Sequence, residues 1–148
     1  MLKVLIAVDG SATSRSALTF VRDLLEAREA SVILFSVIPQ QHTYGFTGPA
    51  PEDVFERREA RGAVEALLDE YAGVLREFGV GREIEKRVVV GDPAELILTA
   101  ATDATVDLIV VGSRGLNTAQ RFLLGSVSSR VVAHAACPVL VVHPRETD

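Results

Sequence analysis

The chain of 148 residues has one cysteine, Cys137, and two lysines, Lys3 and Lys86. A lone thiol cannot close an internal disulfide. A disulfide-stapled fold is therefore excluded, and a reducing compartment, the cytoplasm, is the simplest expectation. Apolar runs are short, and none approaches the ~20 residues needed to cross a bilayer. Met1-Leu2-Lys3 runs straight into an apolar strand, without the longer apolar stretch and small-residue cleavage site of a signal peptide. Positive charge is scarce as well. The net charge is −5, and the densest basic stretch, Arg57, Arg58 and Arg61, is interleaved with Glu56 and Glu59 as on a solvated helix face. Nucleic-acid binding draws on a basic surface that releases counterions, so neither nucleic acid nor a membrane surface is an expected partner. The three histidines, His42, His134 and His143, do not share a metal-ligand spacing on one element, so no protein-held metal is expected. Three catalytic or phosphate motifs are also missing. There is no G-x-x-x-x-G-K-[ST], no G-x-G-x-x-G after the first strand and no G-x-S-x-G.

What remains is enough for one domain spanning residues 1–148. Hydrophobic residues make up 48% and charged residues 24%. Val4–Val8, Val32–Ile38, Leu108–Val111 and Val139–Val142 read as short strands buried on both faces. Ile84–Val90 alternates and carries charge at its start, as an edge strand does. Helical faces lie between them: Ala17, Phe20, Val21, Leu24 and Leu25, then Val64, Leu67, Leu68, Tyr71, Leu75 and Phe78, ended by Gly79. A third helix opens at Asp92-Pro93-Ala94-Glu95, a capping box with proline in the first turn. A fourth carries Val127, Val131 and Val132. The alternation predicts an α/β fold, an open parallel sheet with helices on both faces and right-handed crossovers. Its ligand would sit at the carboxyl ends of the strands where strand order reverses, beyond Val8, Val37 and Val111. The Gln40–Pro51 connection, rich in glycine and proline, is long enough to act as a lid.

The informative stretch follows Val111. Gly112 and Gly115 flank the strand's exit, and Gly125 with Ser126 opens the last helix. Unpaired amides and the positive end of the macrodipole make a helix start attractive to an anion. Glycine lets the backbone come close. Gly125, Ser126 and Val127 can present successive N–H groups to one phosphate, with hydroxyls from Ser126 and Ser128 and charge from Arg114 as further donors. Asp9 stands at the end of the first strand, where it serves the ligand or the following turn. Ser11 is a further candidate for nucleotide contact, and it competes with Thr13 and Ser14 to cap the next helix. Cys137 reads as a structural thiol and Asp92 as a cap. A phospho-receiver arrangement needs an acidic cluster and a nearby lysine, whereas Asp9 stands alone. A flavin site would need its phosphate loop after a different strand.

The spacing of Gly112, Gly115, Gly125 and Ser126 matches G-x2-G-x9-G-[ST], and the chain thereby resembles the universal stress proteins of the ATP-binding subclass. Val4–Ser11, Val90–Pro93, Asp107–Gly115 and Cys137–Val142 resemble that family's corresponding segments in order, so the likeness spans the whole chain. The resemblance implies a five-stranded sheet of order 3-2-1-4-5, of the adenine nucleotide alpha-hydrolase-like type, and a homodimer paired through the last strand. It implies ATP as ligand, with any magnesium held mainly by the phosphates. Asp9 would face the ribose or an ion and the Val37 backbone would meet adenine. Gly112 and Gly115 would hold ribose and phosphate, and Gly125 with Ser126 the outer phosphates. The expected function is a nucleotide-dependent regulatory or stress-response module with an unidentified protein partner and no assigned catalytic residue. A slow ATP hydrolase and a dimeric interaction protein needing no nucleotide remain the alternatives.

Overall fold

A computed structural model describes residues 1–40, 51–81, 83–113 and 124–144, with only the backbone for 51–57. Five strands alternate with four helices: β1 (Leu2–Ala7), α1 (Ala12–Leu25), β2 (Ala30–Pro39), α2 (Pro51–Glu77), β3 (Glu83–Gly91), α3 (Pro93–Asp103), β4 (Leu108–Gly112), α4 (Ser126–His134) and β5 (Val139–Val142). All strand pairs are parallel and the order is β3-β2-β1-β4-β5, as expected. The chain leaves β1 toward β2 on one side, and β4 lies on the other. The reversal of winding therefore falls between β1 and β4.

Each face of the sheet has its own core because side chains alternate along a strand. Val4, Ile6, Val32, Leu34 and Val110 pack beneath α1 and α2, with Val21, Leu68, Tyr71 and Leu75. Leu5, Ile33, Phe35, Ile109 and Val111 pack beneath α3 and α4, with Ile97 and Val131. The central strands are buried on both faces, which is why their sequence is an almost unbroken apolar run. β3 is the outer strand beside β2, and it carries Glu85, Lys86 and Arg87.

The helix starts differ in how their amides are satisfied. Ser11 caps α1, accepting from the Ser14 amide at 3.2 Å. Asp92 caps α3, accepting from the Glu95 amide at 3.0 Å. The Asp92 carboxylate also receives Arg130 Nη1 of α4, at 3.1 and 3.0 Å to its two oxygens, a link between α3 and α4 that no local pattern announces. α2 begins at Pro51, well before the apolar face that starts at Val64. Proline suits a first helical turn. The remainder of the expected lid, residues 41–50, lies outside the described residues.

Candidate functional site

The carboxyl ends of β1, β2 and β4 do not finish level. β1 pairs with β2 as far as Ala7 opposite Phe35, and the Val8 amide then donates to the Phe35 carbonyl at 2.9 Å. Beyond that point β2 continues through Pro39 with β3 alone, Val37 lying opposite Val89. In a parallel strand the amide and carbonyl of one residue face the same neighbour, and alternate residues repeat that direction. The Val37 backbone therefore points the same way as that of Phe35, into the space β1 has vacated.

Asp9 marks the turn by which β1 leaves the sheet. Its side chain is exposed, and its Oδ1 accepts from the Ser11 amide at 2.9 Å. This local bond orients the carboxylate at the strand's end and leaves Oδ2 without a protein partner among the described residues. Gly10 follows with φ of 80°, a left-handed conformation natural to glycine. The Ser11 hydroxyl is turned inward. It is buried, caps α1, and lies 3.0 Å from the Thr13 hydroxyl. It serves α1 rather than facing the opening.

The end of β4 meets both α1 and α4. A β-carbon at Gly112 would lie 2.6 Å from Thr13 Oγ1 and 3.0 Å from the Thr13 carbonyl carbon. Glycine at 112 thus lets the first turn of α1 press against β4, a structural demand separate from any ligand. One residue on, the Ser113 amide donates to the Val142 carbonyl at 2.9 Å, and the Ser113 carbonyl accepts from the Gly125 amide at 2.7 Å. The two glycine-bearing segments therefore meet where they are described, at 112–113 and 125. Arg114 and Gly115 lie outside the described residues.

α4 starts without a side-chain cap. Its N-cap is Gly125, with φ of −61°, and there is no acidic residue in its first turn. The Gly125 amide is used by Ser113, and the first intrahelical bond runs from Ser129 to the Gly125 carbonyl at 3.0 Å. The amides of Ser126, Val127 and Ser128 are left without protein partners among the described residues, as the geometry of a helix start dictates. Ser126 is exposed and Val127 half-buried against the α3 and α4 core. The hydroxyl of Ser128, read from sequence as a phosphate donor, is buried and lies 3.1 Å from the Ser113 carbonyl and 3.0 Å from the Gly125 carbonyl. It fastens α4 to β4, and the helix's offer to an anion comes from its backbone.

Hollows lined by described residues also occur elsewhere. One of about 300 Å³ lies between α2 and β3, around Arg61, Glu65, Asp69 and Lys86, where Lys86 is paired with Asp69. One of about 230 Å³ lies beside β5, lined by Phe20, Leu140 and His143. The first holds matched charges that satisfy one another, and the second offers apolar walls. Neither has a helix start open to an anion. Among the described residues no group of acids, histidines and cysteine is clustered as a metal site. No helix among them is long and apolar enough to cross a membrane. Partial burial pushes the Cys137 thiol up from its ordinary pKa, which favours the protonated form at neutral pH.

The fold and the crevice together define a doubly wound α/β protein with an uncapped helix start and an open strand end at its winding reversal. The universal stress protein family model matches residues 1–143. A protein of Staphylococcus haemolyticus named as a universal stress protein is 35% identical over 147 residues, covering 97% of this chain and 85% of that protein. Among solved structures, the universal stress protein UspA of Lactobacillus plantarum superposes with a TM-score of 0.79 at 26% identity, covering 95% of this chain and 97% of its own. A universal stress protein in complex with cAMP matches with a TM-score of 0.71 at 26% identity, over 97% and 98% of the two chains. An Arabidopsis thaliana family member with AMP bound matches with a TM-score of 0.71 at 25% identity, over 99% and 94%. This chain belongs to the universal stress protein family.

Proposed function

We propose that the chain is an adenine-nucleotide-binding regulatory module, with ATP as the expected ligand. The observation that carries this reading is the start of α4, whose amides at 126, 127 and 128 have no protein partner among the described residues and no competing acid. An anion there gains from the macrodipole by roughly 0.3–1 kcal/mol, up to ~2 when partly buried. Hydrogen bonds to a charged group add about 1.5–3 kcal/mol each. The outward-facing backbone of Val37 suits the donor and acceptor edge of adenine, and Asp9 Oδ2 suits a ribose hydroxyl. Gly112 and Gly115 are assigned to the ribose and phosphates through the family pattern, and Arg114 is assigned to the phosphates as a loop charge. The AMP and cAMP complexes of related proteins support the adenine assignment. Magnesium, where it accompanies ATP, is assigned to the phosphate oxygens.

The assigned role is binding coupled to regulation. Efficient hydrolysis needs an oriented water and charge stabilisation at the leaving oxygen, and no described residue is committed to either task. Occupancy can act on a partner only if the nucleotide prefers one conformation or assembly. A homodimer through β5 is the assembly we favour, because β5 pairs with β4 alone and leaves its outer edge open among the described residues. A reducing compartment, the cytoplasm, fits a chain with a single cysteine.

Calorimetry on nucleotide-free protein tests the reading, with AMP and ATP as ligands and Ser126→Asp as the control. Ser126 is exposed in the first turn of α4. An aspartate there suits the helix dipole, so the fold should be as stable or more so. The same charge repels phosphate, and the affinity should fall by at least tenfold. No binding of either nucleotide by the parent protein at millimolar concentration ends the proposal.

A further inference from the structure

The two sides of the cleft stand on different strands, and one carboxylate joins them. The Val37 side belongs to β2, and β3 runs beside it to the end, with Val37 opposite Val89 and Pro39 opposite Gly91. Asp92 comes next in the chain and starts α3. That start is pressed on the sheet, because a β-carbon on Gly91 would lie 2.8 Å from Leu96 Cδ1 in the first turn of α3. The Asp92 carboxylate accepts from the Glu95 amide at 3.0 Å, which orients it. It also receives Arg130 Nη1 at 3.1 and 3.0 Å. Arg130 lies on α4, four residues after Ser126, so the two share one side of the helix. Helical side chains lean toward the N-terminus, so the grip falls on the end of α4 that carries the open amides. The Ser128 hydroxyl fastens the same end to the Ser113 carbonyl after β4. The start of α4 is thus held from two directions, by β4 and by α3.

Both side chains of the pair are exposed, and solvent and salt screen such a pair, so it adds little to folding. Its placement gives it a different use. A ligand that touches both sides of a cleft binds best when their separation is set beforehand, because ordering them on binding costs free energy. We propose that Asp92 and Arg130 are positioning residues for the nucleotide. Their pairing ties α4 to the end of β3 and so sets the distance from the α4 amides to the Val37 backbone. The inference rests on the reading of the site as a nucleotide cleft, and neither residue is assigned a contact with the ligand. The Arg130 charge is matched by Asp92, so the pair acts through geometry rather than as a net attraction for phosphate. The tie matters to a nucleoside phosphate, which spans the cleft. It does not matter to a nucleoside, which engages the β2 side alone.

The test is calorimetry with AMP and with adenosine on the parent protein, Asp92→Asn, Arg130→Gln, Arg130→Lys and the double variant carrying Asp92→Asn and Arg130→Gln. Asparagine still caps a helix, so Asp92→Asn removes the charge from the pair and keeps the start of α3. Asp92→Asn and Arg130→Gln should each weaken AMP binding about two- to fivefold, the range an exposed ion pair can supply. Adenosine affinity should stay at the parent value. The double variant should lose no more than either single one, since both break the same tie. Arg130→Lys keeps a cation for Asp92 and should retain most of the affinity. A loss with Arg130→Gln while Asp92→Asn binds AMP as the parent does would mean that Arg130 acts on the phosphate directly, and it overturns the inference. Equal losses for AMP and adenosine, or unchanged AMP affinity in both single variants, overturn it too and leave the cleft intact. So does a parent protein that binds AMP but not adenosine at millimolar concentration, because the β2 side would then contribute too little for its spacing to matter. A parent protein that binds no AMP or ATP removes the cleft reading itself.

Discussion

Gly112→Ala should destabilise the ligand-free protein, and the size of the loss follows from one contact. The added methyl would sit 2.6 Å from Thr13 Oγ1, 2.9 Å from Thr13 Cβ and 3.0 Å from the Thr13 carbonyl carbon. Comfortable carbon contacts lie at about 3.5–4.0 Å, so the first turn of α1 must retreat by roughly 0.5–1 Å. That turn is poorly placed to move. Ser11 caps it through the Ser14 amide, and the Ser14 hydroxyl returns a bond to the Ser11 carbonyl at 3.1 Å. Overpacking of this kind costs about 1–3 kcal/mol. The smaller entropy of an unfolded alanine returns about 0.4–1 kcal/mol, leaving a net loss of about 1–2 kcal/mol. For a chain of this length each kcal/mol moves the melting midpoint by about 2–4 °C. The expected drop is therefore about 2–8 °C, with the urea midpoint lowered and the m-value unchanged. Adding Thr13→Ala deletes the nearest atom yet leaves Cβ and the carbonyl carbon, so the double variant should recover only part of the loss. A Gly112→Ala protein as stable as its parent would show that the α1 turn yields freely. The close approach would then explain nothing about the glycine.

Two further outcomes can be checked on the same scale. Tyr71 is 3% exposed in the core beneath α1 and α2, and its hydroxyl has no hydrogen-bond partner among the described residues. Tyr71→Phe should thus be neutral or stabilising by up to about 1 kcal/mol in urea unfolding, where loss of a satisfied hydroxyl would lower stability. The Arg87 guanidinium holds the Glu85 carboxyl below its ordinary pKa, chiefly through their hydrogen bond. A carboxyl with a lowered folded pKa stabilises the protein above its unfolded value, about 4.3, and loses that contribution as pH falls through the folded value. The pair is exposed, so Glu85→Gln should cost no more than about 0.5 kcal/mol at pH 7. The gap between the two urea midpoints should shrink as the pH falls below about 4, and a gap that widens in acid would contradict the sign.

The sheet was legible because β1, β2 and β4 are buried on both faces, and Val, Ile and Leu runs have little other use in a chain of this kind. The winding reversal followed from alternation and handedness, and the strand order from family likeness. The edge character of β3 showed in Glu85, Lys86 and Arg87. The glycine spacing located the site, yet it could not say what each glycine does. Gly112 makes room for Thr13, a partner almost a hundred residues earlier. Ser11 and Ser128 looked available to a ligand because a sequence shows a hydroxyl without showing its neighbours. In the folded chain Ser11 closes α1 and Ser128 closes the junction of β4 with α4. The reverse holds for Ser113, whose buried hydroxyl has no hydrogen-bond partner among the described residues. The Asp92–Arg130 link was hidden for the same reason, since it spans two helices and depends on their packing. The start of α2 was missed because its first turns lack the apolar face that marks the helix from Val64.

β2 outruns β1, and the notch that results is defined by where a strand stops rather than by residues added to line it. Its depth comes in fixed increments. Only alternate residues of β2 face the notch, so β1 covers them one at a time, each new cover needing two more residues of β1. Insertions at the Val8–Gly10 corner should therefore shrink the notch stepwise without changing which backbone groups of β2 line it.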